Sequence, residues 1–418
     1  MRFIAFLLIV VMLAAPAFAE DWSMFKKDTL RTGFTTDVLN PPLTLKWTSN
    51  LGSETDSSPV VVDNVLYIGS DYGIHALDAS SGREIWSTQT PSFIRTVPLV
   101  VDGTLYIGGE DKRFYAIDAK NGAIKWIYKN STNGYLSSAT IINNIAYVGS
   151  EDGYLYAFNV QRGEPVWYAP TGKNVDSSPA VSGGTVYVGN DNGAVFAFDT
   201  ARGKEKWHYY TDGAQIKSSP SLENGIVFIG SNSGYLYALN ATEGTLKWKY
   251  SAGSNVESSP SVKSGVVFFG SKYSSFYALD SETGALKWKF ETDGYVDSSP
   301  AISDNVVYFG VKNYIMALDA NTGRLLWENS TGMDDKDTIT SPAVSGNVLY
   351  AATHRGIVYA YSSTEQATPT PTIKETTVVP PATPTVTPQV TPSQTKKTPG
   401  FEYTALILLI TILIKRRI

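Results

Sequence analysis

The 418-residue sequence contains no cysteine and only three histidines, His75, His208 and His354. Disulfides, thiolate metal sites, a cysteine nucleophile, a covalently attached c-type haem and a bacterial-type lipid anchor on an N-terminal cysteine are all excluded. Scattered histidines leave little room for histidine chemistry. Positive charge is also short: 34 Lys and Arg against 39 Asp and Glu give a formal charge of -5. A nucleic-acid partner is not expected, because such binders normally present a basic face. What the chain has in quantity is hydrophobic residues at 43%, 35 glycines, and Trp 9, Tyr 25 and Phe 17. This is enough apolar material for a sizeable core and excludes wholesale disorder.

The ends separate from the middle by composition. Arg2 followed by the apolar run Phe3 to Leu13 and the small-x-small triplet Ala17-Phe18-Ala19 predicts a secretory signal over 1–19, with the mature chain starting at Glu20. Residues 364–398 hold 12 Thr and 7 Pro. Such a stretch buries no core and predicts an extended stalk with the composition of O-glycosylated spacers. Behind it come Pro399, Gly400 and Phe401, an apolar run from Tyr403 to Ile414, and Lys415-Arg416-Arg417. The run is shorter than the roughly 20 residues of a full membrane span, and the basic end is expected to stay in the cytoplasm. This tail (399–418) resembles the C-terminal sorting signals of archaeal surface proteins handled by archaeosortases. The resemblance implies an archaeal source, tail removal and a lipid attached near Pro399 to Phe401; a retained tail anchor is the alternative.

Residues 43–363 are one unit repeated. Tryptophans fall at 47, 86, 126, 167, 207, 248, 288 and 327, spaced by 39 to 41 residues, a period that suits a four-stranded propeller blade. In the unit from Ser177 to Trp207, Ser177-Ser178-Pro179 opens a strand, Gly183-Gly184 turns it, and Thr185 to Gly189 runs back. Asp191-Asn192-Gly193 then turns into a third strand, Ala194 to Phe198, and a fourth ends at Trp207. The turns Asp63-Asn64, Asp102-Gly103, Asn143-Asn144, Asn224-Gly225 and Asp304-Asn305 recur at one place in the unit, as expected for hairpins whose corners need positive φ. Eight opening strands are present, but the last unit stops at Tyr361 without its tryptophan strand, while Trp47 precedes any opening strand. Leu43 to Trp47 is therefore predicted to supply the outer strand of the eighth blade, closing the ring and removing an exposed sheet edge.

The stretch from Ala76 through Asp78 and Gly82 to Trp86 fits Ala-x-Asp-x-x-x-Gly-x-x-x-Trp. It returns with glycines at Gly122, Gly163, Gly203, Gly244, Gly284 and Gly323 and tryptophans at Trp126, Trp167, Trp207, Trp248, Trp288 and Trp327, Asn159 and Asn240 replacing the aspartate. This resembles the tryptophan-docking motif of quinoprotein (PQQ-like repeat) eight-bladed β-propellers. Trp22-Ser-Met24-Phe25 with Asp28 and Thr32-Gly33 is similar to the N-terminal segment (20–42) of extracytoplasmic members. The expected fold is an all-β, eight-bladed propeller of four-stranded antiparallel blades. In it the indoles, Trp47 included, pack on neighbouring blades, the glycines turn and the Asp or Asn bonds turn backbone.

The resemblance also implies alternatives for function. Enzymatic members hold pyrroloquinoline quinone and calcium in the funnel beside an aspartate base. Here the cysteines of their vicinal disulfide and the long inserted loops are missing, so no cofactor and no catalytic residue are expected, with a PQQ and calcium-dependent dehydrogenase as one alternative. A second is an envelope assembly factor like the bacterial outer-membrane assembly propeller. The expected role is a noncatalytic cell-surface binding or scaffold module, with surface-layer or envelope proteins or glycans as partners and the membrane reached through the C-terminal anchor or lipid. The candidate binding face gathers the turns between second and third strands: Asp71, Glu110, Asp111, Glu151, Asp152 and Asp191 in an acidic arc, opposite Lys272, Lys312, His354 and Arg355. Asn130, Asn240 and Asn329 begin N-glycosylation triplets, and Asn240 doubles as a turn residue.

Overall fold

The computed structural model describes residues 20–272, 275–334 and 336–363. The expected signal, stalk and sorting motif, including Pro399, Gly400 and Phe401, lie outside them. The described chain folds into eight blades of four antiparallel strands, one of which gains a fifth strand, and its regular elements are all strands. In blades 1 to 7 the strands follow in chain order outward from the centre, so Val60–Val62, Val65–Ser70, Gly73–Asp78 and Glu84–Gln89 make blade 1. Inner strands neighbour one another around the ring. The two middle strands of each blade are buried on both faces, as in Thr185–Gly189, because each blade is sandwiched between two others. Outer strands such as Glu205–Tyr210 alternate between buried and exposed positions.

Blade 8 contains Ala343–Ser345, Val348–Ala352 and Ile357–Ser363, and its outer strand is Leu43–Asn50, three residues longer than predicted. Trp47 opposes Ala360 there. The inner strands are shorter than their sequence suggests. In blade 4 the strand is Ala180–Ser182, and Ser177-Ser178-Pro179 precedes it. Pro179 has no N–H for a ladder, and Ser178 bonds sideways to the next blade instead.

Those sideways bonds form a belt. The amide of Val97 donates to Ser138 Oγ at 2.8 Å, Ser138 to Ser178 at 2.9 Å, Ser178 to Ser219 at 2.8 Å and Ser219 to Ser259 at 2.9 Å. Ser259 continues to Ser299 at 3.0 Å, Ser299 to Ser341 at 2.8 Å and Ser341 to Ser58 at 3.1 Å. Blade 2 places Val97 at this position, so the belt opens between blades 1 and 2. Each bond satisfies a buried amide that no strand partner reaches, which is why a small hydroxyl recurs there.

A sealed channel and a charged mouth

The turn positions fix two different ends of the ring. Hairpins joining first and second strands, such as Asp63-Asn64 with φ of 50° and 62°, lie at one end. Loops leading into the inner strands meet the turns between second and third strands at the other, as the amide of Asp71 on the Glu54 carbonyl and that of Glu151 on the Gly134 carbonyl show.

Residues 20–37 close the first end. Trp22 bridges Val61 of blade 1, and the carbonyls of Ser23, Thr29, Leu30, Thr32 and Gly33 accept from the amides of Val100, Val181, Leu222, Val262 and Ile302. Phe34–Thr35 pairs in parallel with Ile302 and Ser303, giving blade 7 a fifth strand. Two fully buried cations pin this plug. The Arg31 guanidinium donates to the carbonyls of Pro179, Phe25, Ser138 and Ala139 and to Thr140 Oγ1, at 2.6–3.1 Å. Lys26 Nζ donates to the Ser259 carbonyl at 2.9 Å and to that of Pro260. Burial pushes the Lys26 ammonium well below its ordinary range and Arg31 down to about 9. Between plug and serine belt remains a void of about 10 Å³ beside Trp22, Lys26 and Val97, no larger than one water.

The other end is open and charged. A cavity of about 250 Å³ is lined on the side of blades 7, 8 and 1 by Asp56, Tyr295, Asp297, Lys312, Thr340 and neighbours. Around the mouth, charges interleave instead of segregating. Arg95 Nε lies 3.4 Å from Asp56 and 3.1 Å from Glu110, inside the expected acidic arc. Lys272 pairs with Glu257 at 3.5 Å and Asp297 at 3.7 Å, inside the expected basic one. His354 Nδ1 sits 2.7 Å from Asp56, and Arg355 pairs with Asp334 on the rim. Two acidic-arc residues serve their own blades: Asp111 accepts from the Tyr115 hydroxyl, and Asp152 from Tyr156 at 2.8 Å and Ser131 at 2.9 Å.

The acid excess concentrates at blades 3 and 4. Burial, then the charges of Asp191 and Glu151, raise Asp176 to about 7, with Lys217 offsetting part of the effect. Burial likewise raises Glu151, beside Glu110 and Asp191, and raises Asp191. One buried carboxylate oxygen of Asp176, one of Asp191 and the amide oxygen of Asn232 on blade 5 lack a hydrogen-bond partner. Gln215 reaches the other oxygen of Asp191 at 3.2 Å. Asp71, on blade 1, is also raised by burial.

At seven of the eight docking positions, the indole meets the motif glycine of the following blade. A Cβ built on Gly82 would lie 2.4 Å from Trp47, one on Gly122 2.7 Å from Trp86, and one on Gly163 2.6 Å from Trp126. Gly203, Gly244, Gly284 and Gly323 repeat this against Trp167, Trp207, Trp248 and Trp288 at 2.5–2.7 Å. Trp327 has no motif glycine ahead of it and meets Tyr361 edge-on instead, ring centroids 5.4 Å apart. Of the glycosylation triplets, Asn130 is exposed. Asn240 caps its turn by accepting from the amides of Thr242 and Glu243, and Asn329 donates to the Tyr361 hydroxyl at 2.8 Å.

Fold, repeat and docking geometry define an eight-bladed propeller of the tryptophan-docked class. A family profile described as "Outer membrane protein assembly factor BamB" matches residues 44–208 and 213–385, and the chain belongs to this PQQ-like repeat family. The solved BamB from Moraxella catarrhalis is 20% identical with a TM-score of 0.66, over 77% of this chain and 99% of that one. The quinohemoprotein alcohol dehydrogenase structure from Comamonas testosteroni is 16% identical with a TM-score of 0.69, over 82% of this chain and 80% of that one. In sequence, a quinohemoprotein alcohol dehydrogenase of Comamonas testosteroni is 28% identical over 148 residues, which span 31% of this chain and 21% of that enzyme.

The enzymatic relatives raise the question of a quinone cofactor with calcium. Pyrroloquinoline quinone is a planar triacid, and a site for it needs spare cations, a flat apolar wall and converging oxygens for the metal. At this mouth Arg95, Lys272 and His354 already face carboxylates. The eight docking tryptophans stand on outer strands, and among the described residues no three His, Asp or Glu converge to hold a metal. These residues do not fit the group. The plug cations, the serine belt and the burial that perturbs Asp176 are not legible in the sequence; the repeated Ser-Ser-Pro was the one visible signal, and it marked hydroxyls facing another blade.

Proposed function

We propose that this protein is a noncatalytic binding or scaffold propeller displayed outside the cell membrane, with its partner held at the open mouth. The one-ended channel carries this reading. With residues 20–37 filling one end around Arg31 and Lys26, the end of the ring left open to a partner is the face of ion pairs and carboxylates around Asp56, Glu151, Asp176 and Asp191. Such a surface orients polar and cationic groups, which suits an envelope protein segment or a glycan. A cleaved leader (1–19), a Thr/Pro stalk (364–398) and a sorting or anchoring tail (399–418) would hold it away from the membrane. Membership in a family described as an assembly factor favours a second reading, in which the partner is an envelope protein being assembled.

Two measurements on the whole chain test this. Titration with pyrroloquinoline quinone and calcium, read by thermal shift and dye-coupled alcohol oxidation, is expected to give neither stabilisation nor turnover. Photo-crosslinkers at positions 71 and 151 are expected to capture envelope components that one at position 102, at the plugged end, does not. Saturable quinone binding with turnover would make the protein a dehydrogenase, and equal capture from both ends would remove the mouth as the binding face.

A further inference from the structure

Every polar group of Glu20 is engaged, its carbonyl on the ring and the rest within the plug. Its carbonyl accepts from Ser345 Oγ at 2.8 Å. Its carboxylate accepts from Thr35 Oγ1 at 2.8 Å and the Thr36 amide at 3.0 Å, and pairs with Lys27 Nζ at 3.1 Å. Its nitrogen lies 3.3 Å from Oδ1 and 3.2 Å from Oδ2 of Asp37. The first residue of the plug thus closes onto its end, beside blade 8.

A peptide amide at this nitrogen shares its single N–H between both oxygens of Asp37 as a three-centre bond, with separations at the long end for a carboxylate acceptor. An ammonium has three N–H donors and gives one to each oxygen. The charge count points the same way. The groups around this nitrogen are the carboxylates of Asp37 and Glu20 and one cation, Lys27; Asp21 turns to the amide of Asp63. The Asp37 carboxylate receives one other donor, the Gly346 amide at 2.7 Å, and a second positive charge would balance the cluster. The sequence supplies a means: Ala17-Phe18-Ala19 ends directly before Glu20.

We propose that the amino group of Glu20 is a structural ion, created when the leader is removed, which pairs with Asp37 and ties the two ends of the plug together beside blade 8. In that step water hydrolyses the Ala19–Glu20 peptide bond under a leader-cleaving protease. Ala19 leaves as a carboxylate, and the Glu20 nitrogen, taking up protons, becomes an ammonium. Cleavage thereby fastens the plug's two ends to each other, in addition to freeing the chain. The inference stands apart from the partner-binding reading, since it is tested by stability and not by binding.

The test uses the chain from Glu20 to Ile418, released from a cleavable fusion with Glu20 first, beside the same chain with one glycine in front and beside Asp37→Asn. A paired amine has a raised folded-state pKa, so its contribution is complete below the ordinary value near 8 and is lost as pH rises through the folded value. The Glu20-first chain is expected to melt about 2 °C above the glycine-extended one at pH 7 and to lose that margin by pH 10 or so. In Asp37→Asn the margin is expected to be absent at both pH values. Isotopic methylation of the α-amine, followed by NMR across pH, is expected to place its pKa above about 8, and at the ordinary value in Asp37→Asn. Indistinguishable melting of the Glu20-first and glycine-extended chains, or an ordinary α-amine pKa, would overturn the proposal. So would a mature N-terminus other than Glu20 in the exported full-length chain.

Discussion

Trp47 and Gly82 join the first strand of the propeller to its first complete blade: the indole lies so close that a Cβ on Gly82 would sit 2.4 Å from Cε3. The Trp47 Nε1–H also donates to the Ala79 carbonyl at 3.0 Å. Since Leu43–Asn50 belongs to blade 8, this contact is where the ring closes. The same pairing holds six further junctions, and only the approach to blade 8 replaces glycine by an aromatic contact, Trp327 on Tyr361.

Gly82→Ala is therefore expected to lower stability by about 3 kcal/mol, from left-handed strain plus collision with a ring that cannot retreat. Gly213 has a similar φ, +82°, but open space around it. Gly213→Ala is expected to cost about 1 kcal/mol. Thermal melting of the two variants side by side separates packing from backbone strain, and equal losses would show that the indole contact adds nothing.

Arg31→Ala removes five donor contacts at once and leaves the carbonyls of Ser138, Ala139 and Pro179 without that partner. The expected loss is on the order of 3 kcal/mol, since breaking one side of a buried polar cluster costs more than the cluster contributes net. Hydrogen exchange is expected to quicken at the amides of Val181, Leu222 and Val262, which the plug covers. Unchanged exchange there would mean that the segment is held without its guanidinium.

At the mouth, Asp176 is predicted to titrate near pH 7, visible as a protonated-carboxyl infrared band that fades through neutrality and is missing in Asp176→Asn. The sign follows from the shift: folded Asp176 holds its proton up to about 7, while in the unfolded chain it ionises near 4. Folding is penalised progressively as pH rises from about 4 to 7. Asp176→Asn is expected to gain on the order of 2 kcal/mol at pH 8 and close to nothing at pH 4. A uniform gain at both values would remove the charge from the explanation.

If the native host attaches N-glycans, occupancy is expected at Asn130 and not at Asn240 or Asn329. Modification at Asn240 would crowd a turn that its oxygen caps, and at Asn329 it would break the bond to the Tyr361 hydroxyl. Glycopeptide mass spectrometry decides, and full occupancy at Asn329 would contradict the inter-blade contact.

Much of this architecture was readable from residues alone. A 40-residue tryptophan period, turn pairs that need positive φ and an unfinished last repeat determine eight blades and their closure by the strand at Trp47, because local turn chemistry and strand length repeat without interference. The candidate binding face was legible only as a list of turn positions. Its charge pattern was decided by the ring, which sets Arg95 between Asp56 and Glu110 and turns Asp111 and Asp152 toward tyrosines of their own blades. The seal was decided there too. Lys26 and Arg31 read as ordinary surface cations until closure aims carbonyls from blades far apart in sequence at one point, and Asp176 reads as an ordinary acid until two other blades' worth of packing takes away its water. Sequence spacing fixes what each blade is; charge, burial and access depend on groups that meet only across the closed ring, because electrostatic cost is set by distance and solvent in three dimensions.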